Sequence, residues 1–180
     1  MRMKGLLIKK NLYFSDSRGD FLKIFNKEDE FENINFEFGQ VNFTRTKKAG
    51  TIRGMHYQIE PFSEIKVVTC LKGAIFDVAL DLRKDSETFL KHESVELNEA
   101  NRLSLIIPKG VAHGFQSLTD NVEMLYLHSA KYSPEHDFGI SPIDPLLNIA
   151  WPTDISEISE RDIAHNRIHK NFKGIEINDM

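Results

Sequence analysis

The chain has 180 residues, of which 41% are hydrophobic and 28% are charged, and its formal net charge is −4. This size and composition predict a single globular domain over residues 1–180 with one substantial core. The lysines and arginines are scattered rather than clustered, so we expect no DNA or RNA partner. The apolar run Gly5–Ile8 is too short for a signal segment or a membrane span, which predicts a soluble cytoplasmic protein with no membrane partner.

The first half of the chain has the pattern of short antiparallel strands joined by turns. Residues 15–20 (SDSRGD) predict a tight turn between a strand over 12–14 and a strand over 21–25. In the next strand Gln40, Asn42 and Thr44 fall on one face, while Val41 and Phe43 fall on the other. The polar face of this strand is suited to line a pocket.

A hairpin is predicted where a strand over 66–71, the turn Lys72–Gly73 and a strand over 74–82 follow one another. The apolar residues of its second strand share one face, and Asp77 and Asp81 share the other. An acid in the middle of an apolar strand has a desolvation cost unless it is partnered, so Asp77 is expected to have a partner.

The second half predicts strands over 103–108 and 122–128 and then a helix over Ser159–Ile168, with Ser159 and Asp162 as its capping box. Between these strands, Pro108–Phe115 has the Pro-x-Gly-x-x-His form of a cupin barrel strand. We therefore predict a mainly β fold, a cupin-type double-stranded β-helix or jelly-roll barrel, with a few short helices including one near the C-terminus.

Five residues that can carry chemistry fall in predicted strands or at their ends and could converge on one cavity: His56, Lys66, Asp77, His113 and Tyr126. Each of them alone is also explained by ordinary packing in a core. A cupin metal site resembles His-x-His followed by Glu, but here the first element reads His56-Tyr57-Gln58. The missing second imidazole favours metal-free acid/base chemistry, and a metal-dependent or non-catalytic sugar-binding cupin stays as the alternative.

Several motifs in combination resemble the dTDP-4-dehydrorhamnose 3,5-epimerase family of cupin-like barrels. The resemblance runs from about Phe14 to about Asp162. The motifs are residues 16–19 (DSRG), 40–42 (QVN), 53–58 (RGMHYQ), 76–83 (FDVALDLR), 107–115 (IPKGVAHGF), 132–136 (YSPEH), 149–152 (IAWP) and 159–162 (SERD).

The resemblance implies a catalytic role for four residues. His56 would be the general base, and Asp162 would orient it and stabilise its imidazolium. Tyr126 would be the acid on the opposite face of the sugar, and Lys66 would hold the oxyanion. The resemblance also implies that the reaction needs no cofactor and no metal.

The resemblance also implies a set of substrate-binding residues. Asp77 and His113 would form a supporting polar pair, Lys23 stands where the family usually has a glutamate that contacts the nucleotide, and Tyr132 is the candidate for a ring that stacks on the base. Direct contacts to the nucleotide sugar are implied for Arg18, Gln40, Asn42 and Arg53. Family members are commonly homodimers whose N-terminal segments cross to the partner, which would place Arg18 in the neighbouring subunit.

The implied activity is epimerisation at C3 and C5 of a nucleotide-linked 4-keto-6-deoxy sugar, with a dTDP-linked substrate expected first. A mono-epimerase that acts at C3 alone is the second candidate. Departures from the family pattern at Lys23, Lys131 and Ser141–Pro142 leave the nucleotide and the hexose open.

Overall fold

The computed structural model describes residues 2–26 and 36–177, and no helix in these two ranges is long and apolar enough to cross a membrane. Thirteen strands and one short helix are described there. In chain order they are β1 (Leu7–Lys10), β2 (Leu12–Asp16), β3 (Gly19–Lys23), β4 (Gln40–Thr46), β5 (Thr51–Gln58), β6 (Lys66–Lys72), β7 (Ala74–Asp81), β8 (His92–Asn98), β9 (Leu103–Ile107), β10 (Val111–Ser117), β11 (Val122–His128), β12 (Asp137–Gly139), β13 (Glu157–Ile158) and α1 (Glu160–Ala164).

The eight strands β4 to β11 have the pairing of a jelly roll. The first pairs with the last, the second with the seventh, the third with the sixth and the fourth with the fifth, all antiparallel. The result is one sheet in the order β1-β9-β6-β11-β4 and another in the order β12-β5-β10-β7-β8, with β2 and β3 as a separate hairpin. The prediction of a mainly β, jelly-roll fold is therefore confirmed.

The core lies between these two sheets because each strand alternates its side chains between two faces. Val68 and Met124 of the first sheet pack in one cluster with Ile75 and Phe115 of the second, and all four are almost fully buried. Cys70 lies in the same cluster, and burial raises the pKa of its thiol to about 12. This packing fixes the positions of the polar side chains that share the inner faces.

Helix α1 begins where the sequence predicts and ends earlier. The Ser159 hydroxyl accepts a hydrogen bond from the Asp162 amide at 3.1 Å, which is the expected N-cap contact. The helix ends at Ala164 instead of Ile168, because the following chain is held by other partners: Ser141 donates to the Asn166 carbonyl, and Ile168 donates to the Asp144 carboxylate. The predicted helix near the C-terminus is therefore confirmed, and it is the one helix among residues 2–26 and 36–177.

Asp81 has a solvent-inaccessible carboxylate that is fully satisfied by neighbouring donors. It accepts hydrogen bonds from Arg83 at 2.8 and 2.9 Å, from Thr88 at 2.6 Å and from Ser86 at 2.7 Å. Burial raises the pKa of this carboxyl, but the Arg83 guanidinium and the two hydroxyls outweigh burial and lower the pKa to about 2.

This depressed pKa predicts a pH-dependent contribution to stability. The contribution is present above the unfolded-state pKa of about 3.9 and is lost as the pH falls toward the folded-state value, for a total of about 2 kcal/mol. In urea unfolding, the free-energy difference between the unsubstituted protein and Asp81→Asn should shrink as the pH is lowered from about 6 to about 2. A difference that stays constant over this range would contradict the assignment.

Candidate active site

One cavity of about 510 Å³ collects most of the predicted site residues. They come from β4, β5, β6, β10, β11 and α1, so both sheets contribute to its wall. The predicted residues that line it are Asn42, Arg53, His56, Lys66, His113, Tyr126 and Asp162.

His56 and Asp162 form a hydrogen-bonded pair at the wall of the cavity. His56 Nε2 lies 2.8 Å from Asp162 Oδ1, and the other carboxylate oxygen accepts the Gly54 amide at 3.1 Å. Burial raises the pKa of the Asp162 carboxyl, but the hydrogen bonds from His56 and Gly54 outweigh burial. The pKa of Asp162 therefore lies below its usual value. Because the charged carboxylate can only accept, Nε2 carries the proton, and the lone pair of the neutral ring is on Nδ1.

These contacts decide how Asp162 is used within its own helix. In a reciprocal capping box, the side chain at this position would turn back to the backbone amide of Ser159. Here only the Ser159 half is made, and the carboxylate is directed to β5 instead. The side chain of Asp162 therefore serves the cavity rather than the helix end.

Gly54 allows β5 and β10 to approach closely beside His56. It has a φ of +122°, and a Cβ at this position would lie 2.5 Å from the Gly114 Cα. Gly19 in the β2–β3 turn has a similar φ of +132° but nothing within 4 Å of its Cβ position. Both glycines thus have a φ that favours glycine, but only at Gly54 would a side chain also clash with a neighbouring strand.

We expect Gly54→Ala to lower the free energy of unfolding by about 2 kcal/mol more than Gly19→Ala. The difference isolates the clash with β10, because both alanines have the same unfavourable φ. Chemical denaturation of the two variants under the same conditions measures it. Equal losses would show that the strands can move apart without cost.

Lys66 is a buried cation at the start of β6. It is 7% exposed, and its Nζ donates to the His56 carbonyl oxygen at 3.2 Å. The same ammonium lies 3.2 Å from Glu64 Oε1. A buried ammonium needs such an anionic partner, and its position on the cavity wall makes it available to a negatively charged oxygen of a ligand.

Tyr126 lies on β11 between two histidines. Its ring is 6.0 Å from His113 in an edge arrangement and 6.1 Å from His128 in a stacked one. Burial, followed by the charge of Asp77, raises the pKa of the phenol well above its ordinary value. The hydroxyl is therefore protonated at neutral pH and can act as a donor.

Asp77 and His113 form a buried pair, of which His113 lines the cavity and Asp77 does not. Asp77 is fully buried, and its Oδ1 lies 2.5 Å from His113 Nε2. This provides the partner that the sequence pattern requires for a buried acid. His113 stands directly opposite His56 in the pairing of β10 with β5, so the pair supports the strand that carries the His56 side chain.

The other predicted binding residues lie around or away from the cavity. Gln40 and Tyr132 do not line it, but Gln40 donates to the lining residue Asn42 at 3.3 Å, and the Tyr132 amide donates to Gln40 Oε1 at 2.8 Å. Arg18 and Lys23 lie on the β2–β3 hairpin and do not line the cavity. Arg53 is exposed at the cavity wall, where a guanidinium can pair with a phosphate.

Two histidines near the cavity had no role in the sequence interpretation. His128 lines the cavity, and its Nδ1 lies 2.9 Å from Glu64 Oε2. The ring of His165 lies 5.6 Å from that of His56, and burial, followed by the charge of His56, lowers its pKa. Both depend on neighbours distant in sequence, so no local signal identified them.

Among residues 2–26 and 36–177, one group has the spacing to hold a metal ion. The ligand atoms of His56, Asp162 and His165 lie within 4.8 Å of one another. This is a different set from the cupin pattern, because His113 has its Nε2 hydrogen-bonded to Asp77. The arrangement of His56 and Asp162 also suits proton transfer, since the carboxylate stabilises the imidazolium that forms.

Comparison with known proteins identifies the family of the chain. A family model described as dTDP-4-dehydrorhamnose 3,5-epimerase matches residues 1–170. The dTDP-4-dehydrorhamnose 3,5-epimerase of Shigella flexneri is 41% identical over 160 residues, which cover 88% of this chain and 88% of that protein. The dTDP-4-dehydrorhamnose 3-epimerase of Streptomyces niveus is 35% identical over 150 residues, which cover 82% of this chain and 72% of that protein.

A solved structure shares the fold over nearly the whole chain. The dTDP-6-deoxy-D-glucose-3,5-epimerase of Legionella pneumophila, in complex with dTDP-4-keto-L-rhamnose, has a TM-score of 0.86 and 36% identity, and the match covers 93% of this chain and 89% of that one. Sequence and fold therefore agree with the motifs. The chain belongs to the dTDP-4-dehydrorhamnose 3,5-epimerase family, a family of isomerases that act without a cofactor.

Proposed function

We propose that this protein inverts C3 and C5 of dTDP-4-dehydro-6-deoxy-D-glucose and so forms dTDP-4-dehydro-L-rhamnose. The observation that carries the proposal is the convergence of the His56–Asp162 pair, Lys66 and Tyr126 on one cavity. These residues supply a base, a cation for an oxyanion and a protonated donor, which are the groups that the reaction needs.

The first step is removal of a proton next to the C4 carbonyl. C3 and C5 both adjoin that carbonyl, so each C–H bond is acidified by formation of an enolate, and one base can serve both positions. His56 Nδ1 takes the proton, and the resulting imidazolium is stabilised by the Asp162 carboxylate, 2.8 Å from Nε2. Positioned proton transfer of this kind contributes about 10²- to 10⁴-fold to a rate.

The second step is stabilisation of the enolate and return of a proton. The electrons of the broken C–H bond move onto the C4 oxygen, where the Lys66 ammonium stabilises the negative charge. The Tyr126 hydroxyl then donates its proton to the carbon from the opposite face, which inverts the centre and re-forms the carbonyl. The phenolate regains a proton from solvent, and His56 releases the one that it accepted.

Nucleotide binding is assigned to the residues around the cavity. Arg53 would pair with the diphosphate, and Asn42, Gln40 and Tyr132 would contact the rest of the nucleotide sugar. The support for this assignment is that Asn42 and Arg53 line the cavity, while Gln40 donates to Asn42 and the Tyr132 amide donates to Gln40.

Arg18 and Lys23 would reach a cavity from the hairpin of a second copy in a homodimer. The hairpin exposes Phe14 and Phe21, which are 60% and 62% exposed and which a partner subunit would cover. Phe21→Asp should therefore shift the sedimentation coefficient from that of a dimer toward that of a monomer. An unsubstituted protein that sediments as a monomer would contradict this assignment.

The second candidate is epimerisation at C3 alone, which is favoured by the similarity to the Streptomyces niveus 3-epimerase. Incubation with dTDP-4-dehydro-6-deoxy-D-glucose, followed by NMR of the product, separates the two. We expect the L-rhamno configuration at both centres, with the same yield after treatment with EDTA. Inversion at C3 only would select the mono-epimerase, and loss of activity on chelation would select a metal-dependent cupin.

A further inference from the structure

A third histidine–carboxylate pair lies beside the cavity in addition to His56–Asp162 and His113–Asp77. It consists of His128 and Glu64, and each of these residues is 8% exposed. The mechanism above does not use this pair. Burying a third acid and a third imidazole is costly unless their polar atoms are partnered, so the partners of Glu64 and His128 indicate what the pair does.

Glu64 contacts both His128 and Lys66, the lysine proposed to bind the oxyanion. One carboxylate oxygen lies 3.2 Å from Lys66 Nζ, and the other lies 2.9 Å from His128 Nδ1. Burial raises the pKa of Glu64, but Lys66 and His128 outweigh burial and keep the pKa below its usual value. The carboxylate is therefore charged, and it holds Lys66 and His128 at once.

On its other side, His128 contacts Asn42, one of the residues assigned to nucleotide-sugar binding. Its Nε2 lies 3.2 Å from Asn42 Nδ2, and Asn42 Oδ1 accepts a hydrogen bond from Gln40 Nε2 at 3.3 Å. Because the Asn42 amide nitrogen donates, His128 Nε2 accepts, and Nδ1 carries the proton toward Glu64. With the Tyr132 amide on Gln40, the contacts form an unbroken chain from Lys66 to Tyr132.

The fold brings this chain together at one end of three neighbouring strands. His128 ends β11, and its register partners are Lys66 on β6 and Gln40 on β4. The histidine thus stands between the strand of the proposed oxyanion contact and the strand of the proposed nucleotide-sugar contacts. Removing it would disconnect the two while leaving both in place.

From this arrangement we infer that Glu64 and His128 are positioning residues that couple Asn42 to Lys66. A substrate that engages Asn42 fixes its amide, His128 and Glu64 hold their orientations in response, and the Lys66 ammonium is kept where the enolate oxygen forms. Contacts to the non-reacting part of the substrate are thereby used at the reacting centre. The inference rests on the proposed function, since it assigns a role within the same reaction.

A double-mutant cycle tests the coupling directly. The effects of Glu64→Gln and Asn42→Ser on kcat/KM are measured singly and together, first with His128 present and then in the His128→Phe background, which keeps a ring against Tyr126. We expect the combined loss to differ from the product of the single losses by about fivefold with His128 present, and to equal that product in His128→Phe. If His128→Phe does not fold, His128→Asn replaces it, since it also removes the acceptor for Asn42.

A second readout separates positioning from a general loss of structure. His128→Phe should lower kcat about tenfold with its folded fraction unchanged by circular dichroism, whereas His136→Phe, outside the cavity, should leave kcat unchanged. Single losses that multiply in the unsubstituted background would overturn the inference while leaving the proposed function intact. An unsubstituted protein that does not epimerise the substrate would instead overturn the proposed function itself.

Discussion

The variant His56→Asn is expected to lose about 10³-fold in kcat for formation of the epimerised product. Asparagine is similar in size near the backbone, but its amide accepts no proton near neutral pH and does not reach the position of Nε2 beside Asp162. The loss therefore reports the base rather than the packing of β5. NMR of the product, at matched protein concentrations, measures the rate.

His136→Asn is the matched control for this prediction. His136 is hydrogen-bonded through Nδ1 to the Ser133 hydroxyl at 2.8 Å and does not line the cavity. The same substitution there should change kcat by less than about twofold, since surface changes away from the site have small effects. A loss of less than about tenfold in His56→Asn would contradict the role of His56 as the base.

The variant Tyr126→Phe is expected to separate proton removal from inversion. Phenylalanine keeps the ring packing against His113 and His128 and removes only the hydroxyl. Product formation should fall about 10²-fold or more because the donor on the opposite face is lost. His56 can still remove a proton and return one to the same face, so solvent deuterium should enter the unconverted substrate with its configuration retained.

Tyr57→Phe is the matched control, since Tyr57 is also buried and stacks on Phe138 without lining the cavity. It should leave both rates near those of the unsubstituted protein. NMR of the recovered substrate and product gives the two rates for each variant. A fall of exchange and product formation by the same factor in Tyr126→Phe would assign Tyr126 to proton removal or to packing instead.

The strand pattern could be predicted because its causes are local. Consecutive residues of β4 and β7 alternate between two faces, so the polar face of Asn42 and Thr44 and the shared face of Asp77 and Asp81 follow from the sequence. The end of α1 could not be predicted in the same way. It is set by Ser141 and Asp144, which hold the chain after the helix and lie some twenty residues away.

The residues of the candidate site likewise differ in whether local sequence predicts them. His56 and His113 stand in short motifs, and their placement on β5 and β10 follows from those motifs. The directions of the Asp162 and His128 side chains follow only from partners that the fold supplies, namely His56 and Glu64. In the sequence, Asp162 is explained by helix capping and His128 by its position at a strand end, so neither indicates a site without these long-range contacts.

In the proposed reaction one base, His56, serves both C3 and C5. This assignment is tested by solvent deuterium incorporation at each carbon of dTDP-4-dehydro-6-deoxy-D-glucose, followed by NMR with the unsubstituted protein and with His56→Asn. We predict incorporation at both carbons by the unsubstituted protein and loss of both, by similar factors, in the variant. Incorporation that persists at either carbon in His56→Asn would contradict the assignment and would require a second base.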